Sequence, residues 1–474
     1  MSVRSRFAPS PTGYIHIGGI RTALYAYLLA KHSDGQFILR IEDTDKNREV
    51  EGAKEHIIKC LTVLGLDYDE GPDKTGEYGP YLQSERLNIY KEWAEKLIAS
   101  GRAYADPYTK EEIDNFRTTA KNEKTAFLFR KFRPDNPPTW QIGMPLRFKS
   151  DPKDYSWHDE VMGQLSFTRD SVDDFILIKS DGYPTYNFAH VVDDHEMKIS
   201  HVLRGQEFVS SVPNYLNLHE ALNIEHPVFA TLPHILNEQG NKKLSKRDGA
   251  KDVLEYIQDG YLAEALISFI ATLGWNDGST QEIYFKDELI EKFSLDKVQR
   301  SGAKLDLQHL KWINGNLIRN MPLDELHQKL ASYLPKEAAN FSDDYIKNVV
   351  RVIQERLKYL AEFEDLTIFF FKDLDVNNEL IKNTKQLKDI EFSDLKDMLI
   401  VAKKQLETSD FSEADLTNKL NEILELTNQK PGVIFSLIRI AVTRVPSSPG
   451  LSDTLFVLGK DKSLQRIEEE INSL

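Results

Sequence analysis

Two short apolar runs, "VRSRFAP" and "QFILRIED", bracket the helix pattern "RTALYAYLLAK", and this series constrains the chain more than any other feature. Strand, helix and strand at this spacing imply a right-handed parallel crossover. The N-terminal segment is therefore expected to be α/β, with ligand chemistry at its strand-to-helix turn. The turn reads "FAPSPTGYIHIGG". Pro9 and Pro11 stiffen the approach, Gly18 and Gly19 admit a ligand close to the backbone, and the helix they open offers free N–H groups and a positive dipole end. His16 projects nearby and can donate to a phosphate oxygen as charge develops there. The glycines form neither GxGxxG nor GxxxxGK[ST], so neither a dinucleotide fold nor a phosphate-loop ATPase is indicated. Taken alone, the turn is equally compatible with a plain glycine turn carrying a surface histidine.

Further along, "NIYKEWAEKLIASG" reads as a helix ending at Gly101, and residues up to about Arg169 are irregular, with "RPDNPPTW" as a break and short strand-like pieces "PLRFK" and "QLSFT". This stretch looks inserted into the first fold. α/β character returns in "DFILIKSDGYPTYNFAHVVDDHEMKISHVLRG", with strands expected around the turn at Asp181-Gly182. Beyond about residue 250, patterns such as "SDDYIKNVVRVIQERLKYLAEF" have apolar residues at i, i+3, i+4 spacing and predict a mostly helical remainder.

The 474 residues carry a formal net charge of −15, which argues against indiscriminate adhesion to nucleic acid but permits a local basic face. One segment fits such a face. From Phe116 to Arg133, Arg117, Lys121, Lys124, Arg130, Lys131 and Arg133 stand against the single acid Glu123, interleaved with Phe127, Phe129 and Phe132. The same pattern also suits a solvated face over core phenylalanines. No apolar run approaches the roughly 18 residues of a membrane span, and the N-terminus lacks an apolar signal core, so a cytoplasmic protein is expected. Cys60 is the only cysteine, set in the apolar helical pattern "EHIIKCLTVLG" and better suited to packing than to nucleophilic attack.

A second stretch, "GNKKLSKRDGAKD", places Lys243, Lys246 and Arg247 within five residues between Gly240 and Gly249. Such cations can close over a polyphosphate and neutralise a departing group. The pair "PSPTGYIHIGG" and "KLSKR" resembles the two signatures of class I aminoacyl-tRNA synthetases. With "RFAPSPTG", "LRIEDTD", "YPTYNFAHVVDDH" and "HVLRGQE" in order, residues 1 to about 320 resemble bacterial-type glutamyl-tRNA synthetase. The C-terminal third is similar more loosely, through its helical character and the closing "SSPGLSDTLFVLGKD".

The resemblance implies ATP-dependent attachment of glutamate to tRNA through a glutamyl-adenylate, with Mg²⁺ accompanying ATP. It implies catalytic roles for His16, Lys243 and Lys246, and ATP contacts from Gly18, Gly19, Glu207, Leu236, Lys246 and Arg247. The glutamate pocket would be Arg6 and Arg204 for carboxylates and Glu42 for the ammonium, with Ser10, Tyr186, the backbone at Ala8 and, less directly, His190. An arginine fork pairs two-pronged with a carboxylate, which favours glutamate over glutamine. Relatives that bind zinc do so through cysteines after a "GxAY" segment, whereas "GRAYADPYT" supplies Ala105, Asp106 and Pro107, so no zinc is expected. Asp43 and Asp45 suit either acids near the tRNA acceptor end or helix caps.

The implied architecture is an α/β Rossmann-type catalytic domain (1–75 and 173–250), an inserted α+β acceptor-end-binding domain (76–172), and all-α stem-contact (251–320) and anticodon-binding (321–474) regions. The partners implied are tRNA for glutamate, L-glutamate and ATP, with a monomer expected. An enzyme that also charges tRNA for glutamine remains open, as does a catalytically dead tRNA-binding protein. The truncated glutamyl-queuosine and the glutaminyl enzymes fit less well, the first for lack of a helical tail and the second because its anticodon-binding part is β-barrel.

Overall fold

The computed structural model describes residues 2–244 and 251–474. Lys246 and Arg247 therefore lie outside the described residues. The chain divides into two compact units, one of Met1–Ile257 with Ala263–Leu310 and one of Gln258–Leu262 with Lys311–Leu474.

In chain order the elements begin with β1 (Arg4–Phe7), α1 (Ile17–His32), β2 (Gln36–Leu39), α2 (Ala53–Val63), α3 (Leu87–Ala99), β3 (Ala103–Ala105), α4 (Lys110–Asn122) and β4 (Leu146–Phe148). There follow β5 (Tyr155–Asp159), β6 (Gly163–Phe167), β7 (Ile176–Ile178), α5 (Tyr186–Glu196), β8 (His201–Gly205), α6 (Val212–Leu222), β9 (Val228–Leu232) and β10 (Ile235–Leu236). Next come α7 (Val253–Gln258), α8 (Ala263–Ala271), α9 (Lys286–Lys292), β11 (Ala303–Lys304) and α10 (Leu307–Arg319).

The largest sheet among the described residues runs β2-β1-β8-β9-β5-β6, parallel throughout except for the β5/β6 pair. Strand order reverses at β1, with β2 on one side and β8 on the other. The crevice at the C-terminal ends of β1 and β8 is thus the topological switch point, where open α/β sheets hold ligands. Alternation along β1 sends Ser5 to one face, where Oγ donates to the Ala26 carbonyl of α1 at 2.6 Å. Arg4 and Arg6 point to the other face. There Arg4 pairs with Glu70 and Arg6 with Asp194 of α5. α1 is buried on nearly all sides, and its Tyr25 hydroxyl donates to the carbonyls of Ala271 at 2.9 Å and Leu273 at 3.1 Å. The end of α8 and the residues just after it, assigned by sequence to a stem-contact region, therefore anchor α1 within the first unit.

The inserted segment departs from its expected limits. β5 and β6, inside 76–172, extend the main sheet, and Asp159 fixes them by accepting from Thr231 N at 3.0 Å and Thr231 Oγ1 at 2.6 Å. The separate antiparallel sheet β3-β4-β7 takes its third strand from beyond residue 172. Alternation in "QLSFT" identifies a strand but not the sheet that claims it. After the Asp181-Gly182 turn, "YNFAHVVDDHE" is helical and buries His190, Asp193 and Asp194 on faces spaced i, i+3, i+4.

The second unit is helical: α11 (Leu323–Leu330), α12 (Asp343–Ile353), α13 (Glu362–Phe371), α14 (Asn378–Asn383), α15 (Phe392–Glu407), α16 (Glu413–Thr427), α17 (Pro431–Thr443), α18 (Leu451–Leu458) and α19 (Lys460–Ser473). Arg444, which ends α17 in a left-handed conformation, forms a buried ion pair with Glu470 of α19. No described helix is long and apolar enough to cross a membrane.

Candidate active site

A cavity of about 330 Å³ opens at the switch point, lined by the C-terminal ends of β1 and β8, the start of α1 and the β9–β10 turn. Of the residues expected from sequence it brings together Arg6, Ala8, Ser10, His16, Gly18, Gly19, Glu42, Tyr186, Arg204, Glu207 and Lys243. Leu236 is not in the lining, where its neighbour Ile235 stands instead. His190 lies one layer below, 4.9 Å from the Tyr186 ring and 4.4 Å from that of Tyr215.

At the α1 start, His16 is the N-cap, and its Nδ1 accepts from Gly18 N at 3.0 Å. An accepting Nδ1 keeps the proton of the neutral ring on Nε2, which is the donor form. The expectation of free N–H groups here needs correction, because Gly19 N is also used, donating to the His16 carbonyl at 3.0 Å. A Cβ on Gly18 would sit 2.8 Å from His16 Cε1, so the glycine is what lets the imidazole fold over the helix end.

Beneath the cavity lies a buried ionic network. Arg6 donates from Nε to Asp194 Oδ1 at 3.0 Å and from Nη1 to the Leu203 carbonyl at 3.3 Å. Arg40 reaches Asp194 Oδ1 at 2.7 Å and Glu42 Oε1 at 2.9 Å, while Arg86 reaches Asp193 Oδ1 at 2.7 Å. Burial alone would raise the Asp194 carboxyl, but Arg6 and Arg40 hold it well below the usual carboxylate range. Burial wins at Glu42, whose pKa is raised despite Arg40. Four guanidinium groups, Arg6, Arg40, Arg86 and Arg204, thus face three carboxylates, Glu42, Asp193 and Asp194, all buried. The surplus positive charge falls on Arg204. Its Nε and Nη1 have no hydrogen-bond partner, and neither does Glu42 Oε2. Arg204 instead packs against the rings of Tyr215 at 5.1 Å, Phe229 at 5.6 Å and Phe208 at 5.7 Å. Unpartnered buried polar atoms of opposite sign are costly unless a ligand completes them. Arg6, by contrast, already has its fork on Asp194.

His190 is fully enclosed and burial lowers its pKa to about 3. Its native form is neutral, whereas the unfolded chain takes up the proton below pH about 6.5. Stability should therefore be complete above that pH and decline as pH falls towards 3, by about 1.4 kcal/mol per pH unit from this residue. His190→Asn should flatten that slope in melting curves taken between pH 4 and 7, although His219, lowered to about 4 by burial, will keep part of it. An unchanged slope would show that His190 titrates alike in both states.

On the other side of the cavity, Lys243 Nζ pairs with Glu207 Oε1 at 3.0 Å, and His234 Nδ1 is 3.6 Å from Glu207 Oε2. The sequence reading had set these two partners on separate tasks. Arg21, Thr22, Phe208 and His234 also line the cavity and were not foreseen. A signal existed for Arg21, an arginine in the otherwise apolar "IGGIRTALYAYLL". Buried, it spans to the carbonyls of Leu273 (3.1 Å) and Pro233.

Elsewhere, Arg130 pairs with Asp170, Arg133 with Asp174 and Arg117 with Asp114. Phe116 and Phe132 stack at 4.4 Å, with Phe127 against Phe132 at 5.9 Å. Part of the basic-aromatic stretch is thus internal structure, while Arg117, Lys121, Lys124 and Lys131 are exposed. Asp43 accepts from Ser84 N at 2.8 Å, in the single-turn helix Gln83–Glu85, and from Lys46 Nζ at 2.9 Å.

Residues 2–312 match the family of tRNA synthetases class I (E and Q), catalytic domain, and residues 325–471 match an anticodon binding domain. Over its whole length the chain is 40% identical to glutamate--tRNA ligases of Dehalococcoides mccartyi and Clostridium botulinum, covering 98% of each. A solved glutamate tRNA ligase from Elizabethkingia meningosepticum, in complex with its amino acid, superposes with a TM-score of 0.87 at 32% identity, each chain covered completely. The chain belongs to the class I tRNA synthetases of the E and Q branch.

Proposed function

We propose that this chain is a glutamate–tRNA ligase whose amino-acid pocket is completed by the substrate. The observation that carries this is that Nε and Nη1 of the Arg204 guanidinium and Oε2 of Glu42 are buried without hydrogen-bond partners, over a network one positive charge in surplus. Glutamate carries two carboxylates and one ammonium, hence one net negative charge. A carboxylate on Arg204 and the ammonium on Glu42 Oε2 would satisfy both orphans and neutralise the network. Glutamine, neutral overall, leaves one charge uncompensated. Arg6, Ser10, Tyr186 and the Ala8 backbone shape the pocket around it, and His190 supports Tyr186 from below.

ATP binds on the α1 side of the cavity, near Gly18, Gly19 and Glu207. The glutamate α-carboxylate attacks the α-phosphorus, pyrophosphate leaves, and the terminal adenosine hydroxyl of tRNA then attacks the activated carbonyl, releasing AMP. Neither step needs a protein nucleophile, only alignment and charge stabilisation. His16 Nε2–H donates to the phosphate oxygen that gains charge. Lys243 exchanges Glu207 for phosphate, and Lys246 and Arg247, in the second signature, assist the leaving group. Both cavity carboxylates are engaged by Arg40 or Lys243, so Mg²⁺ arrives on the ATP phosphates rather than in a protein-held site. The "GRAYADPYT" segment has no thiolate, so a zinc in the insert forms no part of this reading. The exposed lysines of the 116–133 stretch contact the tRNA acceptor end, and the protein acts as a cytoplasmic monomer.

The test is charging of purified tRNA with labelled glutamate. Glutamate should be esterified to its tRNA, and absence of product with an ATP-saturated enzyme would remove the proposal. Gly18→Ala should push the His16 ring off the helix end and raise the ATP KM by roughly tenfold. Its melting temperature should hardly move, and an unaltered ATP KM would show that the ring position is immaterial.

A further inference from the structure

On the ATP side of the cavity a carboxylate stands between two nitrogen groups, one at each of its oxygens. Lys243 Nζ takes Glu207 Oε1 at 3.0 Å, and His234 Nδ1 stops 3.6 Å from Oε2, too far for a hydrogen bond. Glu207 lies in the short helix Gln206–Ser211 that follows β8, and its side chain folds back over Gly205, where a Cβ would sit 2.3 Å from Oε2. The backbone that carries His234 is fixed. The carbonyls of Pro233, His234 and Ile235 accept in turn from Arg21, from Ala303 N at 3.2 Å and from Leu244 N at 2.8 Å. The imidazole therefore stands on a rigid turn, whereas Lys243 reaches Glu207 on a long, exposed side chain.

We propose that His234 is a positioning residue for nucleotide binding: when Lys243 leaves for the ATP phosphates, His234 closes on Oε2 and holds Glu207 in place with Oε1 turned to the ligand. The role rests on the reading of this side of the cavity as the ATP site. A carboxylate repels a triphosphate, so what the vacated Oε1 meets on the nucleotide is a hydrogen-bond donor, a ribose hydroxyl or the adenine amine. Closure needs Nδ1 and Oε2 to approach by about 0.7 Å, and the freed carboxylate, not the fixed turn, makes that movement. Burial lowers the His234 pKa and Lys243 lowers it further, so the ring is neutral at pH 7 beside the closed ion pair. The charged groups that face it are Lys243, Glu207 and Arg21. Departure of Lys243 removes one of the two opposing cations, so the attraction between the ring and Oε2 strengthens as the lysine goes.

Glu207 thus has two holders in succession, and the second is the one that acts while ATP is bound. A side chain of similar size without a donor at Nδ1 would leave the carboxylate free to swing into water. Because Glu207 meets the nucleotide in ground and transition states alike, the loss falls on KM and not on kcat. Asparagine puts its amide nitrogen near the position of Nδ1, glutamine puts it near Nε2, and leucine supplies volume alone.

ATP–pyrophosphate exchange by the full-length protein, with glutamate and tRNA present and ATP varied, tests this. His234→Leu should raise the ATP KM by roughly fivefold or more, with kcat and melting temperature nearly unchanged. His234→Asn should restore most of the lost affinity, and His234→Gln should not. In a Glu207→Ala background, His234→Leu should add nothing, since it acts through that carboxylate. An unaltered ATP KM in an active His234→Leu protein, a His234→Asn protein as impaired as His234→Leu, or full additivity with Glu207→Ala would overturn the role and leave the ligase reading intact; if His234→Leu does not fold, His234→Gln decides in the same way. Absence of exchange in the unsubstituted protein would remove both.

Discussion

Arg204→Met should raise the glutamate KM by roughly 30-fold or more, corresponding to about 2–5 kcal/mol of lost carboxylate binding. Its melting temperature should stay level or rise. The two effects separate because Nε and Nη1 of Arg204 have no partner in the free protein, so removing the charge relieves a desolvation cost, while methionine keeps the volume between Tyr215, Phe208 and Phe229. A residue that serves only the fold would show the opposite pattern. An unchanged glutamate KM would take Arg204 out of the pocket.

Asp194→Ala should act in reverse, unfolding the first unit at markedly lower denaturant. Asp194 accepts from Arg6 at 3.0 Å and from Arg40 at 2.7 Å, and all three side chains are buried. Deleting it leaves Arg6 without a carboxylate and Arg40 hydrogen-bonded to Glu42 alone, a loss of about 3–5 kcal/mol. Arg6 would also lose the fork that aims it, so glutamate binding should fall in whatever fraction remains folded. Urea melts at pH 7 check this, and a loss below about 1 kcal/mol would mean that the network is solvated rather than buried.

The contrast between these two arginines marks what was legible in the sequence. Motif order located Arg6 and Arg204 in one pocket, and the cavity contains both. It could not distinguish them, because the partner that occupies Arg6 is Asp194, 188 positions away on α5, beyond a turn around which strands are expected from the sequence. The parallel crossover was readable from local periodicity. The assignment of β5 and β6 to the main sheet was not, since a strand's pattern records one buried face and not the neighbour that buries it. Lys243 and Glu207 illustrate the same limit. The resemblance implies a ligand role for each, whereas their mutual ion pair depends on the bridge that sets Lys243 beside Leu236. Cys60 was read as core from its helical neighbours, and it is buried; the His56–Asp252 contact beside it joins residues 196 apart and leaves no mark in either segment.

The central claim, that the pocket is charge-matched to glutamate, is tested most directly by ATP–pyrophosphate exchange with glutamate and glutamine side by side, each with and without tRNA. Exchange driven by glutamate in at least one of the two conditions, and by glutamine in neither, is the predicted result. Exchange driven by glutamine, or no exchange with either amino acid in the presence of tRNA, would contradict it.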